Sequence, residues 1–114
     1  MSPPTCLFCK IVAGELRSEA VGHTDASYAF RDIDPQAPSH VLVVPRRHVG
    51  NLGELSAHPG ELADLVGLAA RVAEIEGLDR GYRIVSNTGS EGGQVVFHAH
   101  LHVLGGRTMA WPPG

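Results

Sequence analysis

Three histidines occupy alternate positions near the C-terminal end of the sequence. His98, His100 and His102 lie in the apolar run VVFHAHLHVL, a pattern typical of a β-strand. Side chains of a strand alternate between its two faces, so we expect the three imidazoles to share one face, roughly 7 Å apart. Burying three imidazoles without partners would be costly, so the spacing indicates a chemical role.

Two kinds of chemistry fit such a triplet. Alternating imidazoles can bind a metal ion through their ring nitrogens. Alternatively, one neutral imidazole acts as a nucleophile or base while its neighbours supply a proton or hold an anion. The run TGSEGGQ, residues 88–94, comes directly before the triplet, and its glycines leave main-chain N–H groups open to an anion. Glycine-rich turns are also built this way, but the position favours a phosphate beside the histidines.

The sequence contains two cysteines, Cys6 and Cys9, in the pattern C-x-x-C. A single pair of this kind does not indicate a disulfide scaffold. The spacing alone leaves three interpretations open: half of a zinc site, a redox pair, or two small apolar side chains on a short helix.

Hydrophobic periodicity predicts the elements that must position these residues. β-branched and aromatic runs predict four strands, over residues 27–33, 40–45, 82–87 and 95–104. A short helix is expected over residues 6–12. The alternation of the last strand also predicts that Ala99, Leu101 and Val103 point toward the core.

One long helix is predicted between Pro59 and Glu76, with His58 as its cap and Gly77 as its stop. Its apolar face is predicted to consist of Leu62, Leu65, Val66, Ala69, Val72 and Ala73. One helix among strands with short connections indicates an α+β fold with an antiparallel sheet.

Composition narrows the class of protein. The 114 residues are 43 % hydrophobic and 18 % charged, with a formal net charge of −3, so we expect one domain over residues 1–114. No basic stripe is present, so no nucleic-acid partner is expected, and no apolar run suits a membrane span. The N-terminus lacks the pattern of a secretory signal, so the expected location is cytoplasmic. Residues 1–5, beginning MSPP, are expected to be mobile.

The segment HAHLHVL has the form that defines the histidine triad (HIT) superfamily. Further segments, in order along the chain, resemble its Hint branch, the histidine triad nucleotide-binding proteins: FCKIVAGEL, AFRDIDPQAPSHVLVVPRRH, GYRIVSNTGSEGGQ and HLHVLGG…WPPG. The resemblance extends from Cys6 to Gly114. It implies a HIT-like α+β fold with a five-stranded antiparallel sheet, one long helix and one short helix. It also implies a homodimer whose sheets join into ten strands.

The resemblance implies a purine nucleoside phosphoramidase, which hydrolyses the P–N bond of adenosine 5′-phosphoramidates and related acyl or aminoacyl adenylates. His100 would attack the α-phosphorus and form a nucleotidyl-histidine, and a neutral imidazole needs no metal for this. His102 would contact the phosphoryl group and help to protonate the leaving nitrogen. His40 would complete the hydrogen-bond network with His98 and the other two histidines.

The resemblance also implies a nucleotide site. Asp32 would receive the ribose hydroxyls, and an apolar cleft for the base would be made by Phe8, Ile11, Leu16, Phe30 and Ile33. The phosphate side would be made by Asn87, Gly93, Gln94 and Val95. Many relatives have serine or threonine where this chain has Val95, which cannot make the same hydrogen bond. Residues 106–114 would form a C-terminal tail near the active site, where Trp111 would reach the partner subunit.

Some members of the superfamily with an N-terminal C-x-x-C bind structural zinc, and the resemblance implies a site made by Cys6, Cys9, His48 and His98. Two thiolates and two imidazoles close a tetrahedron, so this zinc would stabilise the fold and would not be needed for catalysis.

Other readings compete with the phosphoramidase. A dinucleoside polyphosphate hydrolase or a nucleotidyl transferase of another HIT branch is one, although the ending HVLGG…WPPG resembles the Hint tail. A nucleotide-sensing interaction protein with incidental catalysis is another. A zinc redox or metal-storage module would leave the histidine triplet and the glycine loop unexplained.

Overall fold

The computed structural model describes residue 3 and residues 5–114. The expectation of a mobile segment over residues 1–5 falls partly on residues 1, 2 and 4, which lie outside the described residues. Of the helices in the described part of the chain, none is long and apolar enough to span a membrane.

One antiparallel sheet forms the centre of the protein. Its strands are β1 (Ala20–His23), β2 (Ser27–Arg31), β3 (Ser39–Pro45), β4 (Tyr82–Val85) and β5 (Leu101–Gly105), in the spatial order β1-β2-β3-β5-β4. The helices are α1 (Leu7–Val12), α2 (Leu52–Leu55) and α3 (Pro59–Ile75). The predicted α+β fold with a five-stranded antiparallel sheet and a long and a short helix is confirmed. The short β1 and α2 are elements that periodicity did not predict.

The two faces of the sheet carry different cores. On one face α3 packs on the helix-side core, whose buried members include Val41, Val43, Leu65, Leu68, Ala69, Val72, Leu101 and Val103. On the other face α1 contributes to the smaller site-side core of Phe8, Phe30, Leu42 and Val44. The alternation of β3 separates the cores, because Val41 and Val43 face α3 while Leu42 and Val44 face α1. His40 therefore shares the site-side face.

The prediction of a strand over residues 95–104 is wrong for its first half, because β5 begins only at Leu101. The last pair between β3 and β5 is Val43 with Leu101, and Pro45, two residues further along β3, has no N–H to donate to a partner strand. Residues before Leu101 bond instead to the loop after β3, where Ala99 N–H donates to the Val49 carbonyl at 2.8 Å. Ala99, Leu101 and Val103 are nevertheless buried, as predicted.

The predicted apolar face of α3 is also wrong at one residue. Val66 is 47 % exposed, whereas Leu68 is buried. Leu68 lies three residues after Leu65 and four before Val72, so it shares their side of the helix, and Val66 lies at its margin. His58 is the N-cap residue, as predicted, but its side chain makes no capping hydrogen bond.

Polar contacts tie α3 to the sheet at its C-terminal end. The guanidinium of Arg31 in β2 donates to both carboxylate oxygens of Glu76, at 2.5 and 2.7 Å. Ser39, the first residue of β3, donates its hydroxyl to the same carboxylate at 2.8 Å. Glu76 is mostly buried, and the Arg31 guanidinium lowers the pKa of its carboxyl group. The start of β3, where His40 lies, is thereby held against the helix.

Candidate active site

The site is built from β3 and β5, the two central strands that carry His40 and His102. In the register, His40 lies opposite Leu104 and His102 opposite Leu42, so the two histidines are diagonal neighbours on the site-side face. Their ring nitrogens, Nε2 of His40 and Nδ1 of His102, are 2.9 Å apart. The ring of His100 follows, with its centroid 5.0 Å from that of His102. His40, His100 and His102, called the histidine cluster below, are therefore brought together as the sequence predicts.

Main-chain groups determine which ring nitrogen of His40 carries the proton. The N–H of Gln36 donates to Nδ1 of His40 at 3.0 Å, so in the neutral ring the proton is on Nε2. That Nε2–H donates to Nδ1 of His102, which places the His102 proton on Nε2. His102 therefore carries its N–H on Nε2, and its ring lies next to that of His100.

His100 carries its proton on the other ring nitrogen from His40 and His102. Its Nδ1 lies 2.7 Å from the main-chain carbonyl oxygen of His98, and a carbonyl only accepts, so Nδ1 carries the proton. The neutral ring then keeps a lone pair on Nε2. Phe8 in α1 contacts the same ring edge to face, with centroids 5.0 Å apart and planes at 89°. The buried His100 is therefore held in one tautomer, with its lone pair on Nε2.

Burial keeps these imidazoles neutral. Desolvation lowers the pKa of His40 and of His100 below the ordinary value, against an opposing effect of the Asp32 carboxylate. The pKa of His102 falls to about 4, because burial and the neighbouring His100 and His40 all disfavour its charged form. At neutral pH in the free protein the cluster is uncharged, as a nucleophilic imidazole must be.

Asp32 lies just beyond the end of β2, beside the histidine cluster. One carboxylate oxygen is 3.4 Å from Nε2 of His40, and the other accepts the N–H of Asp34 at 2.8 Å. The main-chain N–H of Asp32 donates to the carbonyl of His40 at 3.0 Å, which fixes the carboxylate next to β3. The side chain is only partly exposed, and it is the acidic group of this face that sits closest to the histidines.

His98, the first member of the triplet, faces a different site. Its Nε2–H donates to the carbonyl of Pro45 at 2.8 Å, so its Nδ1 carries a lone pair. Nδ1 lies 3.4 Å from Cys6 Sγ, 3.5 Å from Cys9 Sγ and 3.1 Å from His48 Nδ1. Cys9 Sγ lies 3.3 Å from His48 Nδ1. The sequence prediction that these four residues come together is met, and they are called the Cys–His cluster below.

The spacing of the Cys–His cluster can be compared with that of a zinc tetrahedron. Zinc bonds of about 2.3 Å to sulfur and about 2.05 Å to nitrogen separate sulfur from nitrogen by about 3.6 Å and two nitrogens by about 3.3 Å. The distances of 3.3–3.5 Å and 3.1 Å agree with these to about 0.3 Å. Two thiols and two imidazoles are also the donor set that zinc prefers, so the residues fit the metal.

The described chain can be compared with known proteins at this point. The family model of the HIT domain matches residues 13–109. The chain belongs to the HIT domain family. Within that family it is 46 % identical over 111 residues to the 14 kDa zinc-binding protein of Brassica juncea, covering 95 % of this chain and 98 % of that protein.

Two further HIT relatives are informative. The purine nucleoside phosphoramidase of Escherichia coli is 43 % identical over 105 residues, covering 90 % of this chain and 88 % of that protein. A solved structure, a HIT family hydrolase from Clostridium thermocellum, superposes with a TM-score of 0.91 at 40 % identity, covering 96 % of both chains.

The apolar residues predicted to hold a base fall into two groups in this HIT protein. Phe8 and Phe30 are buried members of the site-side core, and Ile11 packs against that core. Leu16 is exposed, and Ile33 is fully exposed at the edge of the loop after β2. Phe8 thus lies between the core and His100, and Ile33 next to Asp32 in sequence offers an open apolar surface.

The glycine loop, residues 88–94, is closed by hydrogen bonds. The prediction that its glycines leave their N–H groups open is wrong for the free protein, because the Gly92 and Gly93 N–H groups donate to the Gly89 and Ser90 carbonyls at 3.1 Å. Asn87 donates its amide to the carbonyl of Gly92 at 2.8 Å. Gln94 accepts the N–H of Gly89 at 2.9 Å and donates to the Gly50 carbonyl at 2.6 Å, so its buried amide joins the loop to the body of the protein. Gly93 has a φ of +84°, which suits glycine. Val95 follows the loop with 85 % of its surface exposed.

The C-terminal tail lies along the edge strand β4. The guanidinium of Arg83 donates to the carbonyls of Ala110 at 2.7 Å and Pro113 at 3.4 Å. Trp111 between them is 84 % exposed.

The sequence did not indicate Arg83, nor the Gln36 N–H and the His98 carbonyl that orient His40 and His100. Main-chain groups have no residue-type signal, so no sequence pattern could have revealed those two.

Proposed function

We propose that this HIT protein hydrolyses the P–N bond of purine nucleoside 5′-phosphoramidates and related acyl or aminoacyl adenylates. The observation that carries the proposal is the buried, neutral His100, whose Nδ1–H is held by the His98 carbonyl so that Nε2 is free to attack. The Escherichia coli relative named a purine nucleoside phosphoramidase supports this substrate class. The expected product is a nucleoside monophosphate.

The reaction proceeds in two displacements at phosphorus. In the first, the lone pair on Nε2 of His100 forms a bond to the α-phosphorus while the P–N bond breaks, and the nitrogen leaves as an amine after gaining a proton. In the second, water attacks phosphorus and passes one proton to the ring of His102, the Nε2–P bond breaks, and the nucleoside monophosphate leaves with neutral His100 restored. Splitting one difficult displacement into two lowers each barrier.

His102 supplies the proton for the leaving nitrogen. Its ring lies next to that of His100, with centroids 5.0 Å apart, but its pKa of about 4 keeps it neutral in the free protein. A phosphoryl anion bound beside it raises that pKa, because a nearby negative charge favours the imidazolium. The substrate thus brings its own acid into the charged state. Protonation places a hydrogen on Nδ1 of His102 and breaks the bond from His40, whose Nε2–H then has the Asp32 carboxylate as its acceptor, 3.4 Å away.

The remaining predicted contacts complete the substrate site. Asp32 accepts the ribose hydroxyls, and Phe8, Ile11, Leu16, Phe30 and Ile33 contribute apolar surface for the base. The glycine loop borders the phosphate through Asn87, Gly93, Gln94 and Val95. In the free protein the Gly93 N–H donates to the Ser90 carbonyl at 3.1 Å, so it has to leave that acceptor to reach a phosphate. In a homodimer, Trp111 on the tail held by Arg83 reaches the partner subunit's site.

The Cys–His cluster would hold a structural zinc ion. Cys6, Cys9, His48 and His98 would be the ligands, and zinc would supply a link between α1, the loop after β3 and residue 98. The plant relative named a zinc-binding protein supports the choice of metal. Because four protein ligands leave no open position, the metal takes no part in the displacements.

Intact-protein mass spectrometry tests the proposal. The protein is mixed with an adenosine 5′-phosphoramidate, quenched in mild base and compared with H100G, while AMP release is followed separately. We expect AMP release and an adenylate-sized mass gain in the unaltered protein, and neither in H100G. His23→Ala, at an exposed histidine of β1, is the matched control and should retain full turnover. Absence of both AMP and adduct in the unaltered protein would overturn the proposal and favour a nucleotide-binding interaction protein.

A further inference from the structure

His98 connects the Cys–His cluster with the histidine cluster through two different chemical groups. Its side-chain Nδ1 belongs to the Cys–His cluster, with three potential ligand atoms within 3.5 Å. Its main-chain carbonyl accepts the Nδ1–H of His100 at 2.7 Å. A displacement of residue 98 therefore changes the hydrogen bond that determines which nitrogen of His100 is free to attack.

The carbonyl of His98 is not held by the sheet. β5 begins at Leu101, so residues 95–100 lack the ladder of hydrogen bonds that would hold a strand in place. Around residue 98 their anchors are the Ala99 N–H on the Val49 carbonyl and the His98 ring on the Pro45 carbonyl, while the Val96 carbonyl accepts from the Gln94 amide at 3.1 Å. The Pro45 and Val49 carbonyls lie at the end of β3 or in the loop that follows it, and His48 lies in the same loop. Whatever fixes this loop to residue 98 also fixes the acceptor for His100.

Helix α1 provides a second connection to His100. Cys6 caps α1 and Cys9 lies in its first turn, so Phe8 stands directly between two members of the Cys–His cluster. The ring of Phe8 contacts His100 edge to face at 5.0 Å and His98 at 6.0 Å. A link between the two thiols and the two imidazoles holds Phe8 against one side of His100, while the carbonyl holds its Nδ1.

We propose that zinc in the Cys–His cluster positions the nucleophile, so that Cys6, Cys9 and His48 are positioning residues for His100. The inference rests on the proposed function for its effect on turnover. Its structural part, the tautomer and order of the His100 ring, is independent of substrate. Bound zinc joins α1 and the loop after β3 to residue 98, and its loss frees both supports of the His100 ring together.

His48 is the ligand best suited to a test, because its contacts with His98 and Cys9 lie within the Cys–His cluster. We expect H48A to lose stoichiometric zinc and to lose about tenfold to a hundredfold in kcat, the range for misplacing a catalytic group by a fraction of an ångström to one ångström. KM should change far less, because His48 lies outside the proposed nucleotide site. H48C restores a fourth ligand, and should recover both zinc and kcat.

The control variant is Val72→Ala, which loses buried volume in the helix-side core on the opposite face of the sheet. It should lower the melting temperature while leaving zinc content and kcat unchanged. If H48A does not fold, the unaltered protein is stripped with a chelator and zinc is then added back. A kcat that falls and returns with zinc gives the same answer without a substitution.

Long-range ¹H–¹⁵N correlation of the imidazoles provides a readout that does not depend on turnover. We expect His100 to show a single Nδ1–H tautomer in the zinc-bound protein, and a tautomer mixture or a broadened signal in zinc-free H48A. An unchanged His100 signal together with an unchanged kcat in the zinc-free protein overturns the inference. If the zinc-bound protein does not hydrolyse the phosphoramidate, the proposed function fails, and the His100 signal alone decides whether zinc positions the ring.

Discussion

The Nε2 atom of His40 and the Nδ1 atom of His102 lie 2.9 Å apart across the two central strands, 62 residues apart in the chain. The Gln36 N–H on the other nitrogen of His40 determines the direction of this bond. One main-chain donor therefore determines the tautomers of two rings in succession, and leaves an N–H on Nε2 of His102 for the substrate.

The protonation of His102 should depend on bound nucleotide. With its pKa at about 4, lowered by burial and by His100 and His40 against the opposing effect of Asp32, the ring is neutral above pH 5 in the free protein. A folded-state pKa below the ordinary 6.5 also means that stability is lost as pH falls from about 6.5 toward 4. NMR titration should show a flat His102 signal from pH 8 to about 5, and AMP should raise its pKa. A midpoint near 6.5 without AMP would contradict this prediction.

Glu76→Gln should destabilise the protein by about 2 kcal/mol, because hydrogen bonds to charged groups are stronger than neutral ones and Arg31 remains partly exposed. The Arg31 guanidinium lowers the pKa of Glu76 below 4.5, so this stabilisation is present above pH 4.5 and is lost as pH falls through the folded value. Urea unfolding at pH 7 and pH 3 measures the difference, which should shrink at pH 3. Glu74→Gln, at an exposed residue of the same helix, should have little effect at either pH.

Gly92→Ala should weaken nucleotide binding. A Cβ at position 92 would lie 2.3 Å from the main-chain carbonyl oxygen of Thr88, a clash that no side-chain rotation relieves. The loop, which we propose to border the phosphate, must therefore change shape. We expect the Kd for AMP to rise by about tenfold, or about 1.4 kcal/mol, in calorimetric titration. Ser90→Ala, exposed in the same loop, should bind AMP as the unaltered protein does. If Gly92→Ala also bound AMP with unchanged affinity, the loop would not contribute to phosphate binding.

Val95→Ser should not lower the phosphoramidase rate. Val95 is 85 % exposed, so a hydroxyl there costs no packing, and stability should change by less than about 0.5 kcal/mol. The new hydroxyl can contact a phosphate that valine cannot. Steady-state kinetics and thermal unfolding measure both quantities. Val96→Ser is the matched comparison, since Val96 packs against the site-side core and its substitution should lower stability. A large loss of rate in Val95→Ser would show that the valine itself is required.

Protein purified without chelators should contain one zinc per chain by elemental analysis. The ligand atoms of Cys6, Cys9, His48 and His98 all lie within 4.8 Å of one another, and a zinc site made by them contributes its binding energy to folding. Chelation should therefore lower the melting temperature, and added zinc should restore it. Substoichiometric zinc after purification, with no rise in melting temperature on adding zinc, would contradict a structural zinc site.

Local patterns in the sequence were sufficient for much of the fold and for the composition of the site. The apolar runs predicted β3 and β5, and periodicity predicted α3 to within one residue at its end. The C-x-x-C pair, the glycine loop and the three alternate histidines all mark chemistry that depends on residue type. These features are local, because strand alternation, helix periodicity and turn glycines are determined by near neighbours in the chain.

The partners of each ring nitrogen were decided only by the tertiary structure. Alternation placed His98 with His100 and His102, but β5 begins at Leu101, and the side chain of His98 turns to Cys6, Cys9 and His48. The proton on His40 depends on Gln36 and that on His100 on the His98 carbonyl. These bonds involve main-chain groups of irregular segments, which meet the rings only when β3 and β5 pair. The sequence therefore determined which imidazoles are present, and the long-range packing of loops determined which nitrogen of each one is free to react.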